Sequence, residues 1–187
     1  MEGSLSELIC QRVSYPRLSE PVPSPEVLAR IYQSALRAPD HMLLRSSRYL
    51  VIQGSARAQL GELFCEVACS DDANLSQATR DKYRAMPLRA PMILVGISSN
   101  REHAKVPAQE QVLSCGVGMG YMLLALNAEG FGGIWRTGFL ARHPKVKAGL
   151  GLDSNETLVG FLYLGTPQGQ PKPLPNLNID DYFQCWP

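Results

Sequence analysis

The stretch FGGIWRTGFL, residues 131–140, sets Arg136 and Thr137 directly after two glycines, an isoleucine and a tryptophan. Glycine lets backbone come close to a ligand. A guanidinium grips phosphate or carboxylate with two parallel bonds, and a hydroxyl adds a third. Arg136 and Thr137 therefore carry the chemistry of a phosphate holder. The first 57 residues contain seven arginines (12, 17, 30, 37, 45, 48 and 57) and no lysine. Arginine is a planar fork where lysine is a solvated point charge, so this bias fits anion recognition, though it also fits a plain surface. His41 follows LRAPD at the abrupt end of a helical pattern, so local structure fixes its position. His103 in SNREHAKVP and His143 in ARHPKV read as solvated loop residues.

Other constellations fail on spacing. CGVGMGY has glycines at 116, 118 and 120, but Tyr121 stands where a dinucleotide fingerprint needs its last glycine, and the run lies inside a helical pattern. There is no Gly-Lys-Ser/Thr phosphate loop and no His-Glu-x-x-His zinc motif. Cys65 and Cys69 lie four apart on a helical pattern without a histidine or a second cysteine pair beside them. No Ser-His-Asp set forms, and no metal site is expected.

The elements that must position these residues follow from periodicity and punctuation. Ser4 and Glu7 form a capping box ahead of Leu5, Leu8 and Ile9. Ser24 caps a second helix with Pro25 at its first position, and Val27, Leu28, Ile31 and Ala35 make its apolar stripe, which Pro39 stops. RYLVIQG, APMILVGISS, FGGIWRTGFL and TLVGFLYLG read as four strands, the apolar ones buried. Helices are expected over 56–68, over 112–129 and over 144–150, with a polar, mobile helical excursion at SDDANLSQATRDKYRAM. Gly116 and Gly120, one turn apart, allow another helix to approach, either within the chain or across a dimer. Five prolines in the last 22 residues exclude a regular element there, and Tyr182, Phe183 and Trp186 make that arm aromatic. Such an arm docks on its own or a partner subunit.

The 187 residues, 45% hydrophobic, suit one domain over 1–187 with a Pro-rich arm at 166–187. A net charge of +1 gives no pull towards nucleic acid or membrane. The start MEGSLSELICQR is not a signal peptide, the QCWP end is not a prenylation signal, and the uncharged run 111–128 is too short and polar for a span. Five cysteines without a secretory address read as reduced thiols in a cytoplasmic protein.

Four segments occur in one order: QRVSYPRL (Gln11–Leu18), LRAPDH (Leu36–His41), GFGGIWRTG (Gly130–Gly138) and GFLYLGTP (Gly160–Pro167). Together they resemble the FMN-dependent nitroreductase family, in its compact YdjA-like branch of NAD(P)H nitroreductases, over essentially the whole chain. The resemblance implies an α+β fold with a central, mostly antiparallel sheet flanked by helices. It implies a homodimer with a C-terminal arm and one FMN at each subunit interface. FMN contacts are implied for Arg12, Val13 and Ser14, and for Trp135, Arg136 and Thr137 around the ribityl-phosphate end. Arg37 and His41 are implied to reach the flavin of the neighbouring subunit. Ala125, Leu126, Asn127, Ala128, Glu129 and Gly130 correspond to a segment implied in NAD(P)H binding. Val13 stands where the family has a second arginine, and Arg45, Ser46 and Ser47 stand where it has Gln-Pro-Trp.

The activity so implied is ping-pong hydride transfer from NADH or NADPH, through FMN, to a small electron-poor acceptor such as a nitroaromatic, quinone or enone. The flavin carries the chemistry and no side chain is catalytic. The two departures also fit a flavin store or sensor without turnover, and Cys65 with Cys69 a thiol or metal protein.

Overall fold

Residues 4–186 are described in the structure, a computed structural model; the expectations for the signal-free start and the lipid-free end rest partly on residues 1–3 and 187, outside the described residues. MILVGISS is apolar on both faces of a strand, and β3 (Met92–Ser99) accordingly lies buried in the middle of a sheet. It pairs antiparallel with β2 (Ser47–Gln53) on one edge and with β5 (Glu156–Pro167) on the other. The far edge of β5 pairs antiparallel with β4 (Gly132–Arg136), and its end with the two-residue β1 (Leu18–Ser19). Every pairing is antiparallel, as expected.

The period of two divides the core. Ile93, Val95, Ile97, Leu158, Phe161 and Tyr163 face one layer, built with α3 (Ala56–Asp71) and two short helices, α6 (Phe139–Arg142) and α7 (Pro144–Gly149). Met92, Leu94, Leu162 and Leu164 face the other, built with α2 (Pro25–Ala35) and α5 (Ala108–Ala128). Between Gly96 and Ile97 the register with β5 slips by one residue, so Val159 is extra. Leu158 and Phe161 can then share a face although three residues apart.

α1 (Leu5–Gln11) and α2 start as read, with the Ser4–Glu7 box formed and Ser24 accepting from Val27 N–H. Other expectations need correction. α5 begins at Ala108, because polar Gln109 and Glu110 carry no apolar signal yet extend the helix. The strand at FGGIWRTGFL stops at Arg136; Gly138 takes a φ of 90° and turns the chain into α6. Two residues inside the Pro-rich loop form β1, and Ile179–Asp181 makes one turn of 3-10 helix in the arm.

The polar excursion is an ordered helix, α4 (Gln77–Ala85), capped by Ser76. Gly61 of α3 makes room for the Arg84 carbonyl, and Arg84 donates to Glu62 at 2.9 Å. α5 is long and apolar enough to cross a membrane by composition, but it packs on the sheet and on α2 as a core helix.

Its glycines serve different neighbours. Gly116 admits the Trp135 ring, 3.3 Å from where a Cβ would stand. Gly118 admits the Tyr49 hydroxyl and lies against Ala35 of α2. Gly120 faces open space. So the close helix approach within the chain is at Gly118.

Candidate functional site

β4 is the outer strand beside β5, and alternation sends its side chains to opposite layers. Ile134 packs with the α3 layer and Trp135 with the α5 layer. Arg136 shares the α3 side with Ile134 and enters a cavity of about 430 Å³ together with Thr137. Phe64, Phe161 and Tyr163 form its apolar wall and Arg89 stands at its rim. The Arg136 guanidinium lies 5.5 Å from the centre of the Tyr163 ring, a cation–π contact. Burial first, then the like charge of Arg89, pulls the Arg136 pKa down. Burial pushes the Tyr163 hydroxyl up to about 12 against the pull of both arginines.

Two buried donors here have no partner: Arg136 Nε and the Trp135 indole nitrogen. Buried donors are nearly always satisfied, so the orphaned Arg136 Nε at the cavity marks a place for an acceptor, while the Trp135 nitrogen is orphaned on the opposite, α5 side of the strand. Trp135 lies over Gly160, where any side chain would strike the indole.

Arg12, Val13 and Ser14, all half-buried, follow α1. They reach the open side of β4, where the Tyr15 N–H donates to the Gly133 carbonyl at 3.2 Å. Arg12 Nη1 lies 3.5 Å from Ser14 Oγ, so the two side chains sit together as a small polar group.

Arg37 and His41 lie elsewhere. Arg37 lines a second cavity of about 340 Å³ with Asp40, Arg45, Ser47 and Ser114, which shares no residue with the first. The loop between α2 and β2 is unusual in its backbone. Met42, Leu43 and Arg45 all take positive φ, of 58°, 53° and 54°. Asp40 holds this loop by accepting from Arg45 N–H at 2.8 Å, and Ser114 Oγ donates to the Pro39 carbonyl at 2.7 Å. His41 is exposed, with Nδ1 2.7 Å from Glu110 of α5. Below the loop the hydroxyls of Ser46 and Tyr49 are buried without partners. Within one chain, then, Arg37 and His41 are not brought to the cavity of Arg136.

The Ala125–Gly130 segment is the end of α5 and its closing turn. Leu126 is buried, Asn127 Nδ2 donates to Leu8, and Arg30 holds Glu129 through two bonds of 2.8 and 3.0 Å. Gly130, at a φ of 81°, ends the helix.

Sequence reasoning passed over Arg89 and Tyr163. Nothing in MPLRAP marks Arg89, since its approach to Arg136 comes from tertiary packing alone. His143 is also not solvated: it caps α7 by accepting from Lys145 N–H and lies 3.3 Å from Asp71. Cys65 and Cys69 place their sulfurs 4.0 Å apart, with burial raising the Cys65 pKa. Among the described residues no three His, Cys, Asp or Glu side chains gather.

Comparison with known proteins follows the same lines. Residues 10–166 match the model of the Nitroreductase family. The chain is 39% identical over 178 residues to YdjA of Escherichia coli strain K12, a protein named as an NAD(P)H nitroreductase, covering 94% of this chain and 93% of that one. Among solved structures it resembles a nitroreductase-like family protein from Bacillus cereus, with a TM-score of 0.84 at 18% identity over 100% of this chain and 97% of the other. It also resembles the FMN and NADPH-dependent nitroreductase NfnB of sphigopyxis sp. strain HMH, with a TM-score of 0.76 at 19% identity over 99% and 100% of the two chains.

Proposed function

Because the chain belongs to the nitroreductase family, we propose that it is an NAD(P)H-dependent FMN oxidoreductase that works as a homodimer. The observation that carries this reading is the orphaned buried donor Arg136 Nε, which opens on a cavity at the end of the strand where the family resemblance puts the flavin. An anionic, acceptor-rich cofactor fits such a place. Arg12 and Ser14 hold it from the other side of β4, and Val13 offers only backbone. Arg136 and Thr137 take the phosphate end.

FMN supplies the two-electron chemistry when bound: hydride in from NADH or NADPH and out, in ping-pong order, to an electron-poor nitroaromatic, quinone or enone. The chain's own residues bind and orient. Arg37 and His41 come from the second copy, which is why one chain keeps Arg37 in a different cavity and His41 exposed beside Glu110. One of the two would supply the cation beside the flavin's electron-accepting edge. Glu110 orients the His41 ring. The second cavity, with Ser47 in its wall, leaves room for the acceptor. The Ala125–Gly130 turn contacts the nicotinamide nucleotide through exposed Ala128 and Gly130, since Arg30 occupies Glu129.

The test is a visible spectrum of the purified protein followed by anaerobic titration with NADH and with NADPH. A yellow protein that releases FMN on denaturation, bleaches with one of the two and regains colour with a nitroaromatic or quinone is expected. A bound flavin that neither nucleotide bleaches would make the protein a flavin carrier.

A further inference from the structure

Arg45 is the cation of the second cavity that the flavin reading leaves without a duty. It lines that cavity with Arg37, Asp40, Ser47 and Ser114, and exposed Leu36 adds an apolar wall. It stands where the family resemblance puts a neutral glutamine, so the charge is this chain's own. The backbone fixes where it points. Arg45 has a φ of 54°, just after Met42 and Leu43 at 58° and 53°. Non-glycine residues stay in that region only where the surroundings impose it. Here Asp40 imposes it, accepting the Arg45 N–H at 2.8 Å, while Ser114 ties down Pro39. The Arg45 side chain is left 63% exposed at the cavity.

The neighbouring acids do not use up this charge. Asp40 Oδ2, already holding the Arg45 N–H, lies 3.8 Å from Arg45 Nη1, beyond hydrogen-bond reach. Glu110 is taken by His41 at 2.7 Å. Among the described residues Arg37 has no carboxylate within ion-pair distance. By contrast Arg30, Arg48 and Arg84 each bond a glutamate. The cavity thus holds two guanidiniums against one carboxylate, an excess of one positive charge. A cationic guest is repelled and a neutral one leaves the Arg45 fork unused. A carboxylate brings one negative charge and takes two parallel bonds from the fork. The volume of about 340 Å³ lies at the small end for ligand pockets, enough for one substituted ring, with Ala35, Leu36 and Ala38 as its apolar side.

We infer that Arg45 is a specificity-determining residue that selects an acidic electron acceptor, a single-ring compound bearing a carboxylate, over its neutral analogues. This rests on the FMN reading above, with the acceptor in the second cavity, and adds to it the substrate class. Arg45 holds the acid tail and not the group that is reduced. Its effect therefore falls on binding of the acceptor, in KM more than in kcat.

Two probes of one size separate charge from shape: 4-nitrobenzoate and 4-nitrobenzamide. The FMN-loaded protein is assayed with each, at saturating NADH or NADPH, as wild type, Arg45→Gln, Arg45→Asn and Arg45→Lys. Any residue keeps the N–H to Asp40, and asparagine tolerates the left-handed backbone, so thermal unfolding should match. The expected result is that Arg45→Gln and Arg45→Asn lower the acid-to-amide ratio of kcat/KM by about three- to thirtyfold, a charge-assisted bond discounted for the open rim. Arg45→Lys recovers part of it, because charge is kept and the fork is not. Added salt should raise KM for the acid in wild type and much less in Arg45→Gln. Calorimetric titration of the oxidised protein with benzoate and with benzamide reads the same preference without turnover. An unchanged ratio in Arg45→Gln, whether both probes fall or neither does, overturns the inference while the FMN reading stands. A wild-type chain that binds no flavin and reduces neither probe overturns both.

Discussion

Arg12 and Arg136 reach the candidate site from different elements, one after α1 and one at the end of β4, so each can be removed without unfolding the other's support. Arg12→Ala and Arg136→Ala are each expected to weaken FMN by about 1.5–3 kcal/mol, the range for hydrogen bonds to a charged group. Flavin titration reads it, and wild-type affinity in both would remove the arginines from the site. Glu156 is a residue of a different kind. It is 5% exposed, bound by both nitrogens of the Arg48 fork, and accepts from Ser99 Oγ and Asp153 N–H. Arg48 first, with Ser99 and the Asp153 amide, holds its carboxyl at about 2 against an ordinary 4.5. A depressed folded pKa means the stabilisation is whole above pH 4.5 and drains away as pH falls towards 2. Glu156→Gln should therefore cost about 3 kcal/mol near neutral pH and only a small fraction of that near pH 2, as read by denaturant unfolding at several pH values. An equal loss at both would show packing, not charge. Arg136 was legible in the sequence because two glycines and a tryptophan announce it. Arg89 and the His143–Asp71 pair were not, because their partners stand 47 and 72 residues away in the chain and no local pattern records the approach.

At the scale of elements the apolar strands were legible because β2, β3 and β5 each carry an apolar run, although only β3 and most of β5 are buried and β2 is largely half-buried. What the chain does not write locally is who sits in each gap. The glycines of α5 invite a close approach, and spacing pointed to Gly116 and Gly120, yet it is Gly118 that lies against α2. A Cβ at Gly118 would meet the Tyr49 hydroxyl and stand 3.0 Å from the Ala35 carbonyl. Gly118→Ala should thus lower stability by about 1–3 kcal/mol, the usual cost of overpacking. Tyr49→Phe tests the cause. Its hydroxyl is buried without a partner, so its removal alone should be close to neutral. Combined with Gly118→Ala it should recover part of the loss, a non-additivity that contact implies. Purely additive effects in chemical unfolding would place the strain on Ala35 alone. The β4 boundary was misjudged for a similar reason. Arg-Thr-Gly continues an extended pattern on paper, and only the left-handed turn at Gly138 ends it.

Across the whole molecule one side is left uncovered. Leu113, Val117 and Tyr121 of α5 are exposed at helical spacing, with Gly120 open among them, and Leu5 and Ile9 of α1 are exposed too. α1, α2 and α5 border an apolar groove lined by Leu5, Leu8, Ile9, Tyr121 and Leu124. The arm after β5 shows Leu174, Leu177, Ile179, Tyr182, Phe183 and Trp186 to solvent, the last at 95% exposure. Apolar surface on this scale marks an interaction site. The proposed two-fold dimer, meeting along α5, would cover it and would carry Arg37 and His41 of one copy towards the β4 site of the other. Such an interface, core-like in its residues, should bury over about 2,000 Å² in total. Gly120 gives a selective probe. A Cβ there meets nothing within 4 Å in the single chain, so Gly120→Leu should leave the fold intact. In the proposed dimer it would stand in the seam and push the copies apart. Dimer and flavin should then be lost together, because a ligand bound across two copies stabilises their assembly. Sedimentation and flavin absorbance on the same samples read both, with circular dichroism to check the fold. A Gly120→Leu chain that sediments as a monomer with a full equivalent of FMN would leave each site complete within one copy, with Arg37 and His41 outside it.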